Sequence, residues 1–394
     1  MNDTAEVVII GGGCMGASAA YHLTQLGVTD VVIVEREAML GMGSTGRNAG
    51  GVRHQFSSDA NVRLSIESIH CFENFSEQIG YPIDFHQDGY LFLLSRPEDL
   101  QAFRSNVDMQ RSLGVEVDVI SPQQAGILAP GLQVEGVVGA TFCSRDGIAD
   151  PNGVTMGFAK AAQASGARIY RETEATHIET VAGRVAAVRT TAGRISTRTV
   201  INAAGPHARS IGAMAELDVP VLPYRRHIFI TEALMQLSTA GSNSPRLAPS
   251  SRIMVIDFET SFYFHREGAG VLFGMSDPGE HSSFDTTVNW EFLEKVNTIA
   301  MRRLPVLAEA GIAHAWAGLY EMTPDAMPII GAAPQVEGYY LITGFSGHGF
   351  QHSPAAGRIL AEMIVVGEAR DFDTAPFSFG RFDGISTQRE TSVV

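Results

Sequence analysis

Cysteine is scarce in this chain: Cys14, Cys71 and Cys143 are the only three among 394 residues. An odd, scattered set excludes a disulfide framework, and none stands in a CxxC or Cys/His cluster of zinc-ligand spacing. Positive charge is also in deficit. With 43 acidic residues against 28 Lys and Arg, the formal net charge is −15. No basic stripe can form for a phosphate backbone, which excludes a nucleic-acid partner. Long apolar runs are missing as well. The first, Val7 to Ile10, stops at glycines, and the others are of strand length, far short of a membrane span. The acidic start, Met1 to Glu6, lacks the basic region and cleavage signal of a leader. No repeat recurs, and nothing is low-complexity apart from the polar stretch 238–251, read as a surface loop. These absences point to a soluble protein of a reducing compartment, expected in the cytoplasm. A hydrophobic content of 45% with 18% charged residues supplies a large core and excludes a disordered chain. At roughly 150 residues per domain, the length predicts two or three domains.

What is present begins at residue 7. Val7-Val8-Ile9-Ile10 is a β-branched run, as a parallel strand buried on both faces requires. It runs into Gly11-Gly12-Gly13-Cys14-Met15-Gly16, a GxGxxG turn, then a helical stretch over 17–26, a second strand over 31–34, and Glu35. Gly11 permits the tight turn, Gly13 lets the backbone approach a pyrophosphate, and Gly16 lets helix and strand pack closely. The helix then offers free N–H groups and a positive dipole end to the phosphates. Glu35 is placed to accept both adenosine ribose hydroxyls, which disfavours a 2′-phosphate and hence NADP. After Glu35 and Arg36 comes a second glycine-rich stretch, 41–51, with Ser44, Thr45, Arg47, Asn48, Ala49 and Gly50. Glycine allows close approach, so this stretch is expected to lie extended against a long cofactor, a reading that its position straight after the ribose acid favours over a flexible surface loop.

Farther on, a helical pattern spans 147–167 and leads into a strand at 167–170. Alternating segments 175–181 and 184–190 flank Ala182-Gly183 as a hairpin, and 199–206 reads as a buried strand ending in small residues, with Ala204 and Gly205 leaving room for a ligand. Between 89 and 143, and again from 219 to 303, aromatic-rich alternation predicts a mostly antiparallel sheet inserted twice. Near the C-terminus, strand 339–343, the turn Gly344-Phe345-Ser346-Gly347-His348-Gly349 and a helix over 353–366 repeat the strand–glycine–helix order. That helix would stabilise negative charge developing on a ligand in the turn.

Taken together, GGGCMG with Glu35, Ser44 to Asn48, Val200 to Pro206, Thr323-Pro324-Asp325 with Pro328 to Gly331, and Gly344 to Gly349 resemble one superfamily. It is that of the FAD-dependent amine and amino-acid oxidoreductases, of the D-amino-acid oxidase, glycine oxidase and sarcosine oxidase type. Gly46 to Phe56 is most similar to the β-subunits of sarcosine oxidase and proline dehydrogenase. The resemblance implies a mixed α/β fold in which a Rossmann-like FAD-binding domain (1–88, 144–218, 306–370) is interrupted by a substrate domain (89–143, 219–305), with a tail at 371–394. It further implies hydride transfer from a secondary amino acid or small amine to flavin N5, which needs alignment and a neutral amine more than an acid–base pair. Residue by residue, Arg53 matches an arginine that pairs with the substrate carboxylate, with Arg47 and Arg63 as competitors. Gln351, after Phe350, stands where a second cationic contact is a lysine. Gly318 replaces the cysteine that bonds covalently to flavin, so FAD is expected to be non-covalent. Leu272 replaces a lysine that promotes reaction with oxygen, so a dehydrogenase is favoured over an oxidase. His348 is a flavin or substrate contact or else structural. His54 is expected to pack, Tyr263 and His265 to pack in the core or lie exposed on the sheet surface, Arg225-Arg226 to be a solvated pair of which one could reach the cavity, and Cys14 to sit beside the pyrophosphate at a helix end that would lower its pKa. The expected partners are a small-molecule substrate and an electron acceptor or partner subunit. The rival readings are a flavin-binding subunit or assembly factor inactive alone, and an NAD-dependent dehydrogenase, which leaves Gly344 to Gly349 without a role.

Overall fold

The computed structural model describes residues 2–234, 251–383 and 389–393. All but the last residue of the polar stretch 238–251 lies outside them. Val7–Ile10 and Val31–Val34, fully buried, form the centre of a six-stranded sheet. Its order is Arg168–Tyr170, Val31–Val34, Val7–Ile10, Thr199–Asn202, Tyr339–Thr343, Ile329–Ala332. All neighbours are parallel except the last pair. The unbroken apolar runs follow from cover on both faces. Val7, Ile9, Val31 and Ile33 pack with residues of helices Cys14–Gln25, Pro151–Ala164 and Gly349–Val365. Val8, Ile10, Val32 and Val34 pack with Ile178, Val188 and Ile195 of a four-stranded sheet on the other side.

The inserted segments build an eight-stranded sheet in the order Ile312–Met322, Leu222–Thr231, Gly270–Met275, Phe262–Glu267, Met254–Asp257, Tyr90–Leu94, Gly139–Cys143, Val117–Ile120. It is antiparallel but for one parallel pair, Met254–Asp257 with Tyr90–Leu94. Alternation decides its two faces. Leu91, Leu93, Val255, Phe262, Phe264, Phe229 and Phe273 pack toward helix Trp290–Arg303. The intervening residues, among them Tyr90, Met254, Ile256, Tyr263, Arg226 and Ile228, face a cavity. Ile312–Met322, which the boundary at 306 assigns to the FAD-binding part, hydrogen-bonds along its length to the roof strand Leu222–Thr231.

Three local expectations are corrected. The stretch 41–51 is not extended but closes into turns and a 3₁₀ helix, Thr45–Arg47, with the Gly46 N–H donating to the Gly41 carbonyl at 2.7 Å. The pattern 147–167 splits into a strand, Gly147–Ala149, and a helix, Pro151–Ala164, because Asp150 caps the helix by accepting from the Asn152 and Gly153 N–H groups. The C-terminal helix starts at Gly349, earlier than 353, so the last residue of the glycine turn opens it. Among the described residues no helix is long and apolar enough to cross a membrane.

Candidate functional site

A cavity of about 680 Å³ runs between the two sheets, within the size range of small-molecule sites. One end is built by the first glycine turn. Gly11 adopts φ +112°, and a Cβ there would lie 2.4 Å from the Ala203 carbonyl oxygen. Gly13, Cys14 and Met15 open the helix Cys14–Gln25 onto the groove, so its N-terminal amides face a ligand there. Glu35 ends the second strand. Its Oε2 accepts from the Gly12 N–H at 2.7 Å and its Oε1 from the Glu37 N–H at 2.9 Å, which fixes the carboxylate beside the turn. Arg36 reaches His207 Nε2 at 3.0 Å, on the far side of the groove.

The middle is lined by Ser44, Thr45, Arg47, Asn48 and Ala49 on one side and by Ala204, Gly205 and Gly318 on the other. Ser44 Oγ donates to the Leu319 carbonyl (2.6 Å) and Arg47 Nη1 to that of Ala317 (2.9 Å), binding this loop to the roof strand. Asn48 donates to the Thr45 carbonyl and accepts from the Gly50 N–H. At the far end are Gly347, His348, Gly349, Phe350 and Gln351, under Tyr90, Tyr263, Tyr320 and Arg226 of the roof. The residues fit a long dinucleotide. Small residues lie where bulk would fill the groove, a helix end faces the place for the phosphates, and the carboxylate lies at the place for the ribose.

Three expected contacts do not line the cavity, because their missing side chains serve backbone packing instead. A Cβ on Gly16 would stand 2.0 Å from the Gly11 carbonyl, one on Gly50 2.6 Å from the Ala149 carbonyl, and one on Gly344 2.5 Å from Thr323 Cγ2. Cys14 is not a low-pKa thiol. Burial pushes it up to about 11, against hydrogen bonding from Thr45 Oγ1 at 3.4 Å. His348 is buried, its Nε2 has no hydrogen-bond partner, and burial together with the nearby Arg53 charge pulls its pKa down to about 3. It is a neutral imidazole at ordinary pH.

Arg53 lines the cavity, but its guanidinium is already engaged. Nη1 donates to the Gln55 carbonyl and Nη2 to that of Ser392 at 2.5 Å, while Cζ lies 3.9 Å from the centre of the Phe56 ring. Gln351 Oε1 accepts from the Arg53 N–H at 2.7 Å and so positions the arginine's backbone. The tail that reaches Arg53 is pinned by Glu390, whose carboxylate accepts from Ser57, Ser58 and Asn61. His54 pairs with Asp146 (2.6 Å) and packs, as expected. His265 packs as well, buried on the roof strand. Tyr263 does not merely pack, since it lines the cavity. Of the arginine pair, Arg225 is tied to Glu280 and Asp285 and Arg226 faces the cavity.

Tyr90, Tyr320 and Glu321 were missed. Alternation in 90–94 and 312–322 was a signal for Tyr90 and Tyr320, had the cavity-facing parity been known, but not for Glu321, which follows Tyr320 directly. Glu321 lies on the cavity floor, with Thr343 Oγ1 donating to its Oε2 at 3.0 Å and the Phe345 N–H to its Oε1 at 3.4 Å. Burial outweighs these donors and raises its pKa from 4.5 to about 7. The folded state therefore holds this proton more tightly than the unfolded state. The penalty is absent below the unfolded value, grows between pH 4.5 and 7, and is complete above 7. Glu321→Gln is expected to stabilise the apoprotein at pH 8 by about 2–3 kcal/mol and not at pH 4.5, read from denaturant midpoints at both pH values.

Comparison with known proteins agrees with this geometry. The family model described as FAD dependent oxidoreductase matches residues 6–363. FAD-dependent oxidoreductase domain-containing protein 1 of Bos taurus is 32% identical, covering 96% of this chain and 85% of the relative. Mitochondrial dimethylglycine dehydrogenase of Mus musculus is 29% identical over 99% of the chain, which spans only 45% of that relative's length. Among solved structures, an L-proline dehydrogenase from P. horikoshii matches with TM-score 0.88 and 32% identity, over 97% of this chain and 99% of that one. With a cradle that fits a long dinucleotide and a family match over nearly its whole length, this chain belongs to the FAD dependent oxidoreductase family.

Proposed function

We propose that this enzyme oxidises a secondary amino acid or small amine, of the N-methyl amino acid, imino acid or opine type, to an imine that then hydrolyses. The observation that carries this reading is that one cavity joins the dinucleotide cradle to a roof of Tyr90, Tyr263, Tyr320 and Arg226. When bound, FAD supplies a two-electron acceptor for a hydride equivalent from the C–H beside the amine nitrogen. The chain's own residues hold and orient. Gly11 to Met15 and Glu35 take the adenosine and pyrophosphate end, Ser44 to Ala49 with Ala204 and Gly205 the middle, and Gly347 to Gln351 the flavin end. The roof covers the flavin end, and neutral His348 adds no positive charge where a deprotonated amine must sit. Alignment, rather than a residue base, carries the step.

FAD is held without a covalent bond in this reading. Gly318 has no sulfur to offer, and of the three cysteines only Cys14, at the opposite end, lines the cavity. The electrons pass to an acceptor other than oxygen, on a partner subunit or a diffusible carrier. The chain has only two lysines, Lys160 and Lys295, and neither lines the cavity. Leu272 sits buried in roof strand Gly270–Met275, outside the cavity lining, and supplies no cation to stabilise developing superoxide. Anaerobic titration with sarcosine, L-proline, their N-methyl and D-forms and an opine is expected to bleach the oxidised-flavin band near ~450 nm with one of them. Air admitted to the reduced sample should restore the band only slowly. A flavin that no amine bleaches would overturn the reading, and rapid reoxidation with stoichiometric peroxide would overturn the dehydrogenase assignment.

A further inference from the structure

Two arginines compete for a substrate carboxylate at the roofed end, Arg53 and Arg226, and their surroundings differ. Arg53 has two guanidinium donors on main-chain carbonyls and its face on Phe56. A carboxylate approaching it competes with the Ser392 carbonyl, and that segment is fastened by Glu390. Burial disfavours ionisation of Glu390, but donors from Ser57 and Asn61 outweigh it and keep the anchor charged.

Arg226 is in the opposite condition. It stands in register with Gly318 at the point where strand Leu222–Thr231 crosses the groove, and its side chain lines the cavity. Nη1 donates to the Arg225 carbonyl at 2.9 Å, Nε is buried with no hydrogen-bond partner, and Cζ lies 5.0 Å from the Tyr320 ring centre. Its neighbour Arg225 takes up Glu280 and Asp285 on the other face of the strand. A cation in a partly buried cavity with an unmatched donor is costly unless an anion completes it. The phosphates of a dinucleotide belong at the opposite end of the groove, by Gly13, and so do not serve Arg226.

We propose that Arg226, not Arg53, binds the substrate carboxylate, with the Tyr263 and Tyr320 rings walling the same subsite. This rests on the amine-oxidising reading and narrows its substrate to amino acids whose carboxylate points to the roof. Arg53 becomes a positioning residue that locks the tail to the loop beneath.

The test uses the flavin-loaded enzyme, Arg226→Met and Arg226→Lys. Pyrrole-2-carboxylate, which has no oxidisable amine C–H, is titrated by its perturbation of the flavin spectrum, and anaerobic reduction by L-proline and by sarcosine is followed by stopped flow. Loss of a charge-assisted pair is expected to weaken pyrrole-2-carboxylate about ten- to a hundredfold in Arg226→Met. The half-saturating concentration of the better amino-acid substrate should rise by a similar factor, and the limiting reduction rate should fall far less. Arg226→Lys should recover part of the binding. Flavin content checks that the variants fold. Unaltered affinity in Arg226→Met, or a wild-type enzyme that binds no carboxylate, would overturn the proposal. A wild-type enzyme that binds pyrrole-2-carboxylate through Arg226 yet is reduced by no amine would instead overturn the reaction and leave the carboxylate site standing.

Discussion

Gly16→Ala is expected to yield protein that is colourless or insoluble, with a flavin-to-protein ratio below about a tenth. The added Cβ would lie 2.0 Å from the Gly11 carbonyl oxygen, a backbone atom and not the end of a flexible side chain. Gly11 cannot retreat. It holds φ +112°, and the Ala203 carbonyl oxygen lies only 2.4 Å from where a Cβ on it would sit. Relief therefore requires the helix Cys14–Gln25 to lift from the sheet, which moves the N-terminal amides away from the phosphates. Overpacking of this kind costs about 1–3 kcal/mol or more, a large share of a typical net stability of about 5–15 kcal/mol. Gly43→Ala is the control. Gly43 lines the same groove, but a Cβ there meets nothing within 4 Å, so that variant should purify yellow. Absorbance ratios at ~280 and ~450 nm decide the comparison.

Arg303→Met is expected to give the largest loss of stability of any single change away from the cavity, about 3–5 kcal/mol. Arg303 is 2% exposed, and its Nε lies 2.6 Å from Oδ2 of Asp257, itself 1% exposed. Its remaining donors reach the Glu135 carbonyl at 2.8 Å, the Gln133 carbonyl at 3.3 Å and Ser95 Oγ at 3.1 Å. One guanidinium thus joins the helix Trp290–Arg303, the roof strand Met254–Asp257 and two connecting segments. Methionine fills much of the volume but leaves the Asp257 carboxylate buried with only the distant Arg302, at 3.5 Å, to oppose its charge. Adding Asp257→Asn should recover part of the loss, since the uncompensated charge and not the missing contact dominates. Urea unfolding of the three proteins measures this. A single mutant as stable as the parent would show that water or Arg302 compensates the aspartate.

The first fifty residues were readable because their information is local. A strand buried on both faces must be apolar throughout, a tight turn needs glycine, and an acid after the second strand lies at a fixed place relative to that turn. Each is a rule of sequence spacing. Which glycines meet a ligand is another matter. Gly344 and Gly347 look alike in the sequence, yet Gly347 lines the cavity and Gly344 admits the Thr323 side chain.

The Arg225-Arg226 pair shows the same division. Alternation along a strand puts neighbours on opposite faces, so the sequence could say that only one would reach a cavity beneath. The pairing of Leu222–Thr231 with Ile312–Met322 decided that it is Arg226. The fate of Arg53 was further out of reach, because the Ser392 carbonyl that occupies it lies 339 positions away, in a segment with no motif. By itself the sequence determined the Rossmann-like core, its dinucleotide turn and the presence of a mostly antiparallel sheet, since these follow from local periodicity and turn chemistry. Only the tertiary structure decided which cation is spent on the chain's own carbonyls and which is left for a ligand, because donors and acceptors far apart in sequence are matched only when the chain is packed.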